Sequence, residues 1–288
     1  MKQRNITEVR RPHSHQGFLG EGHEARAVID GTDFTHTDPF ILLMDDRLNL
    51  PGGKPAGGPH PHAGFETVTL VIKGDERDWH SGSMELMTAG SGIIHTEEIS
   101  TRTDLHILQL WLALPPQKRW TKPFWQQLLL EDAPTLKNED REIRVYSGDS
   151  NGLHAPVQNH TAFTLVDITL KPGADVTQYL PAGYNGFIYV LEGTVLNDAT
   201  RRVSEGESGW MDQAADNEES ELRLQAGEQG ARFVLYAARP HGVPIVNHGP
   251  FIGDTRDDLV RLYKEYQSGK IIHLHDLPED SKIRHRTV

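Results

Sequence analysis

Pro59-His60-Pro61-His62-Ala63-Gly64-Phe65-Glu66-Thr67-Val68 is followed further along by Met87-Thr88-Ala89-Gly90-Ser91-Gly92-Ile93-Ile94-His95-Thr96-Glu97. Each stretch offers two metal-binding side chains at i and i+2, His60 with His62 and His95 with Glu97. Side chains alternate in an extended chain, so the members of each pair point to one face. Two such strands facing each other would bring His60, His62, His95 and Glu97 to one point, as in the first coordination shell of a divalent metal. Parity leaves the carboxylate open, because Glu66 also shares a face with His60 and His62 if its strand is regular.

Strand patterns dominate outward from these stretches. Phe40 to Met44, Thr67 to Ile72, Leu105 to Leu112, Phe163 to Leu170 and Gly186 to Leu191 are short and rich in β-branched and aromatic residues. Gly, Pro or Asp bounds them, which argues for a β-sandwich or barrel. A repeat is visible as well. Phe65 to Gly74 superposes on Tyr184 to Gly193 at an offset of 119 residues. At that offset His60 and His62 fall on Tyr179 and Pro181, and Glu66 falls on Asn185. The simplest reading is two homologous β-barrels, one with ligands and one without, joined between Pro134 and Asn159. One helix is expected near the C-terminus. Thr255 and Asp258 form a capping-box pattern, Leu259, Leu262, Tyr263 and Tyr266 form a stripe, and Gly269 is a stop. Pro115 to Asn138 reads as a surface connector with a short helical turn.

Composition narrows the chemistry. The 288 residues are 36% hydrophobic and 24% charged, as expected of a soluble globular chain. A net charge of −12 disfavours direct nucleic-acid binding, which needs a basic surface. The chain has no cysteine, so any metal is held by nitrogen and oxygen. No run approaches the about 20 apolar residues that span a bilayer, and no signal peptide is visible. A cytoplasmic location and no membrane partner are the expectation. His13 with His15, and His273 with His275, repeat the i, i+2 spacing without a second element and read as solvated. His106 reads as a satisfied strand histidine, and Trp111 and Phe65 as packing residues.

His60-x-His62-x3-Glu66 with Gly74 resembles the first cupin motif, and Gly92-x2-His95 the core of the second. The two quoted stretches, Leu108 to Pro115, Asp38 to Leu42 and Asn247 to Phe251 together resemble the pirin family over most of the chain. The resemblance implies an all-β bicupin with two jelly-roll-type β-barrels and a short C-terminal helix. Residues 1–140 would form the metal-binding barrel, and 141–288 a barrel lacking ligands, with the helix. It implies His60, His62, His95 and Glu97 as metal ligands. A nearby carboxylate would accept a substrate proton in catalysis, either Glu97 on leaving the metal or Glu66 from behind the ligands. One divalent metal is implied, Fe(II) first, although a donor set without thiolate also suits Mn, Co, Ni, Cu or Zn.

The activity implied is quercetin 2,3-dioxygenase-type cleavage of a flavonol-like aromatic substrate by O2, with release of carbon monoxide. The alternative is an iron-dependent redox-sensing or regulatory protein that binds a protein partner without catalysis. A metal-bound isomerase or hydrolase is a third class. One departure stands out: Asp75 to Leu86 is shorter than the hairpin usual in the family. That implies a different pocket wall.

Overall fold

The computed structural model describes residues 1–53, 57–74, 79–97, 99, 101–198, 201–214 and 218–286. Strands dominate it, as expected, and the chain divides into two compact units. The division exchanges the terminal segments relative to the 1–140 and 141–288 expectation. Met1–Pro12 joins Ala133–Pro240, and His241–Val288 joins His13–Asp132. The C-terminal helix therefore lies in the unit that carries the histidines. The reason is hydrogen bonding distant in sequence. Asp38 accepts from the backbone N–H groups of His241 and Gly242. Ala63 exchanges backbone hydrogen bonds with Pro250 and Ile252.

In the histidine-bearing unit an eight-stranded sheet runs Lys282–His285, Phe124–Leu128, Met84–Thr88, Phe65–Lys73, Thr103–Ala113, Phe40–Leu50, His23–Ile29 and Ser14–Gln16. Its pairs are antiparallel except for the first. A second sheet orders Ile272–His273, Ile93–His95 and His60–His62. The Pro115 to Asn138 stretch is more regular than expected. It carries the Phe124–Leu128 strand, which pairs in full with Met84–Thr88. The segment's prolines and polar residues mask a short strand whose partner lies far away in sequence.

The other unit holds a ten-stranded sheet built around the long Glu219–Ala238 strand. Ser220, Leu222, Leu224 and Ala226 are buried at every second position, the signature of a strand with one face on the core. Lys2–Arg4 pairs in parallel with this strand, and Ile6–Arg10 pairs with Ser208–Met211. Buried Arg4 bonds to Asp212 and to the carbonyls of Pro181 and Tyr184, which ties the N-terminal segment to this unit.

The expected helix spans Arg256–Gln267, with Thr255 and Asp258 forming the reciprocal capping box. Its buried Leu262 packs with Ala63, Ile94, Phe251 and Ile271. Ala63 and Ile94 are chain neighbours of His62 and His95, so the helix backs the strands that carry the candidate ligands. A one-turn helix at Phe34–Thr37, capped by Asp33, was not expected from the sequence. Among the described residues no helix is long and apolar enough to cross a membrane.

Candidate metal centre

The two quoted stretches pair with each other. His60–His62 runs antiparallel to Ile93–His95 in the register His60 to His95, Pro61 to Ile94 and His62 to Ile93. Direct opposition of His60 and His95, with His62 two residues along, puts three imidazoles on one face. Candidate ligand atoms on the three lie within 4.8 Å of one another. The Nε2 atoms of His60 and His95 are 2.8 Å apart. Metal–nitrogen bonds of about 2.1 Å set at right angles would separate two such atoms by about 3 Å, so this edge suits a divalent ion.

Protonation also suits a metal. His60 Nδ1 lies 2.9 Å from the Gly58 carbonyl, which can only accept, so Nδ1 carries the proton. In the neutral ring the Nε2 lone pair then faces His95. Orientation of a ligand histidine through its other nitrogen is a common way of setting the tautomer. Burial, reinforced by the charge of His60, pushes His95 down to about 3. Burial also holds His62 well below the usual histidine range, with His95 and His60 adding to the effect. Both rings are therefore neutral at physiological pH, the form in which imidazole binds metals.

The two carboxylates separate. Glu97 Oε2 is 3.8 Å from His60 Nε2, while its Oε1 accepts from the Gln109 side-chain amide at 2.8 Å. Burial pushes the Glu97 carboxyl up, and His60 and Gln109 act against that rise. Glu66 lies elsewhere. Thr67 and Thr69 line the cavity beside Glu97, so alternation along Phe65–Lys73 sends Glu66 to the opposite face of the sheet. There it is fully buried and accepts from Thr88 Oγ1 at 2.8 Å.

The parity expected for Glu66 fails because the strand is not regular from His60 onward. Ala63 and Gly64 interrupt it, with Gly64 at φ +89°, a conformation that favours glycine. A Cβ on Gly64 would stand 2.1 Å from the Ile252 carbonyl oxygen.

A cavity of about 380 Å³ opens beside the cluster, reached by His95, Thr96 and Glu97. Cross-strand register explains its walls. Gln109, Thr69, Glu85 and Gln127 stand in one row over four neighbouring strands, and Trp111, Thr67, Met87 and Trp125 in the next. Trp111 stacks on Phe65 at 4.4 Å between ring centres and meets the His62 ring edge-on at 5.2 Å. These two packing residues thus also brace a candidate ligand.

Glu85 accepts from the Gln127 amide at 3.0 Å and from Trp125. Burial pushes its carboxyl up, against those two donors. The segment expected to alter the pocket wall contributes Trp79 and Glu85 to the lining, while residues 75–78 lie outside the described ones. Sequence reasoning missed Thr67, Thr69, Trp79, Glu85, Gln109 and Trp125 as site residues. For all but Trp79, which lies outside any strand, the available signal was alternation within strands, but which strands adjoin is a non-local fact.

His13, His15 and His275 are exposed as expected, but His273 is half-buried on a strand that pairs with Ile94 beside His95. His106 is satisfied by a 2.7 Å bond to Asp45. In the other unit Tyr179 and Pro181 lie on the Asp175–Pro181 strand. Among the described residues, His60, His62 and His95 form the sole metal-type cluster.

Family models match both parts of the chain. Residues 22–112 match the model described as Pirin, and 165–272 match the Pirin C-terminal cupin domain. A pirin-like protein of Solanum lycopersicum is 31% identical over 269 residues, covering 87% of this chain and 88% of that protein. The chain belongs to the pirin family. The two-unit, all-β cupin fold follows from that membership and from the strand content. A quercetin 2,3-dioxygenase structure from Acinetobacter baumannii shares 25% identity at a TM-score of 0.81, covering 93% of this pirin and 98% of that chain. The pirin YhhW from Escherichia coli, solved with nickel(II), shares the fold at 16% identity and a TM-score of 0.59, covering 81% and 98%.

Proposed function

We propose that this pirin is a metal-dependent dioxygenase that opens a flavonol-type ring with O2. His60, His62, His95 and Glu97 hold one divalent ion, Fe(II) in the working enzyme. The observation that carries the reading is the cluster of three ring nitrogens, with Glu97 Oε2 3.8 Å from His60, beside a cavity that His95 and Glu97 line together with Trp79 and Trp125. The likeness to a quercetin 2,3-dioxygenase supports the choice of substrate class. A purely regulatory role would need no such enclosure beside the ligands, so the cavity favours a small molecule.

When bound, iron(II) supplies Lewis acidity toward a phenolic hydroxyl and the redox chemistry that O2 requires. The protein's own side chains do the rest. Neutral His62 and His95 present lone pairs, and Gly58 orients His60. Gln109 fixes Glu97 Oε1, leaving Oε2 toward the cluster. Burial raises the proton affinity of Glu97, so on leaving the metal its Oε2 would be placed to accept the proton of a substrate hydroxyl. The indoles offer flat apolar faces to the aromatic rings. Glu66, hidden on the other face of the sheet, has no part in this step.

The test is direct. Iron-loaded protein in aerated buffer is given quercetin, and flavonol absorbance and carbon monoxide are followed together. Loss of absorbance with matching carbon monoxide is expected. A wild-type protein loaded in turn with Fe, Mn, Co, Ni, Cu and Zn that leaves quercetin intact would refute the reading.

A further inference from the structure

His95, Thr96 and Glu97 line one part of the cavity. At the other end stands Glu85, a carboxyl set among Met87, Trp125 and Thr69. Its row explains the placement. Gln109 and Glu85 are two strands apart, about 10 Å at about 4.8 Å per strand, with Thr69 between them. Both ends of the row are held. Gln109 donates to Glu97, and Gln127 donates to Glu85. The neighbouring row, through Trp111, Met87 and Trp125, is largely apolar. The cavity thus offers a flat apolar strip with an acid-bearing polar edge along it.

Glu85 has bonding capacity to spare. A carboxylate offers about four acceptor positions, and Gln127 and Trp125 take two. Glu85 is half-buried, with the Arg284 cation near it, and its remaining acceptor positions can take a ligand hydroxyl. The indole faces favour an aromatic ligand.

We propose that Glu85 is the specificity-determining residue of this cavity, receiving a hydroxyl on the part of an aromatic substrate away from the metal ligands. The substrate class is then a polyhydroxylated aromatic with a hydroxyl toward Glu97 and another toward Glu85. The inference rests on the dioxygenase reading for its choice of ligand, but it is tested by binding.

Iron-loaded protein is dialysed to equilibrium, without oxygen, against quercetin and against 3-hydroxyflavone, which lacks quercetin's other hydroxyls. Wild type should prefer quercetin. Glu85→Leu should lower that preference about tenfold, and Glu85→Gln about threefold, because a neutral amide accepts more weakly than a carboxylate. Iron content and 3-hydroxyflavone affinity should stay within twofold of wild type in both. A role in structure alone would weaken both ligands alike, and that result overturns the proposal. If Glu85→Leu does not fold, the isosteric Glu85→Gln decides, and an unchanged preference there overturns it. Preference that depends on Glu85 in a wild type unable to cleave quercetin in air would keep this inference and sink the dioxygenase reading. Cleavage by wild type with preference untouched in the variants would do the reverse. A wild type that binds neither flavonol overturns both.

Discussion

Leu262→Ala should weaken metal binding from a position outside the donor set. Leu262 is fully buried and packs with Ala63, Ile94, Phe251 and Ile271. Removing three carbons forfeits about 2.4 kcal/mol of transfer free energy, at about 0.8 kcal/mol per methylene. The cavity left behind brings the loss to about 3–4 kcal/mol, inside the range for buried leucines. Two of the four neighbours adjoin ligands, Ala63 after His62 and Ile94 before His95. Loosened support at those points should lower metal affinity about tenfold, the lower end for groups that orient ligands. Urea unfolding of metal-free protein measures the first effect, and competition with a chromogenic chelator measures the second. Unchanged metal affinity in a variant destabilised by about 3 kcal/mol would refute the claim that the helix supports the site.

The other predictions concern the carboxylates and the helix cap. Glu97→Gln should lose metal affinity about 10–100-fold, the range for disturbed metal sites, while Glu66→Gln should keep full metal content in elemental analysis. Metal loss in Glu66→Gln with retention in Glu97→Gln would reverse the assignment. The Asp258 carboxyl is held below its ordinary value by bonds from Thr255 and by Arg261, against a rise from burial. A depressed folded-state value means its stabilisation is complete above the unfolded value of about 3.9 and is lost as pH falls through the folded one. Asp258→Ala should therefore be about 1 kcal/mol less stable than wild type near neutral pH, and the gap should narrow in acid. A gap that does not change with pH in urea titrations would count against the capping account.

The parts of this fold that were readable from sequence were those that local pattern controls. The Phe40, Thr67, Leu105, Phe163 and Gly186 stretches lie on strands because alternation and turn residues act within a few positions. The helix and its cap were readable for the same reason. His60, His62 and His95 were readable because i, i+2 spacing survives within each short strand. Glu66 was misplaced because two residues at Ala63 and Gly64 rotate the chain. Their geometry answers to Pro250 and Ile252, far away in sequence. The polar row from Gln109 to Gln127 was hidden because it exists only across four strands. The exchange of the terminal segments was hidden for a related reason: the offset repeat shows two copies, not which copy each end rejoins.

That exchange has a consequence for the order of assembly. During synthesis the strands with His60, His62 and His95 emerge long before Phe251, Leu262 and Ile272, which flank or back them. A nascent chain that reaches only residue 240 has the donors but lacks the helix and the strand that brace them. If these side chains hold an ion, as proposed, its capture in the final geometry is a late event, and a bound ion reports that the fold has closed.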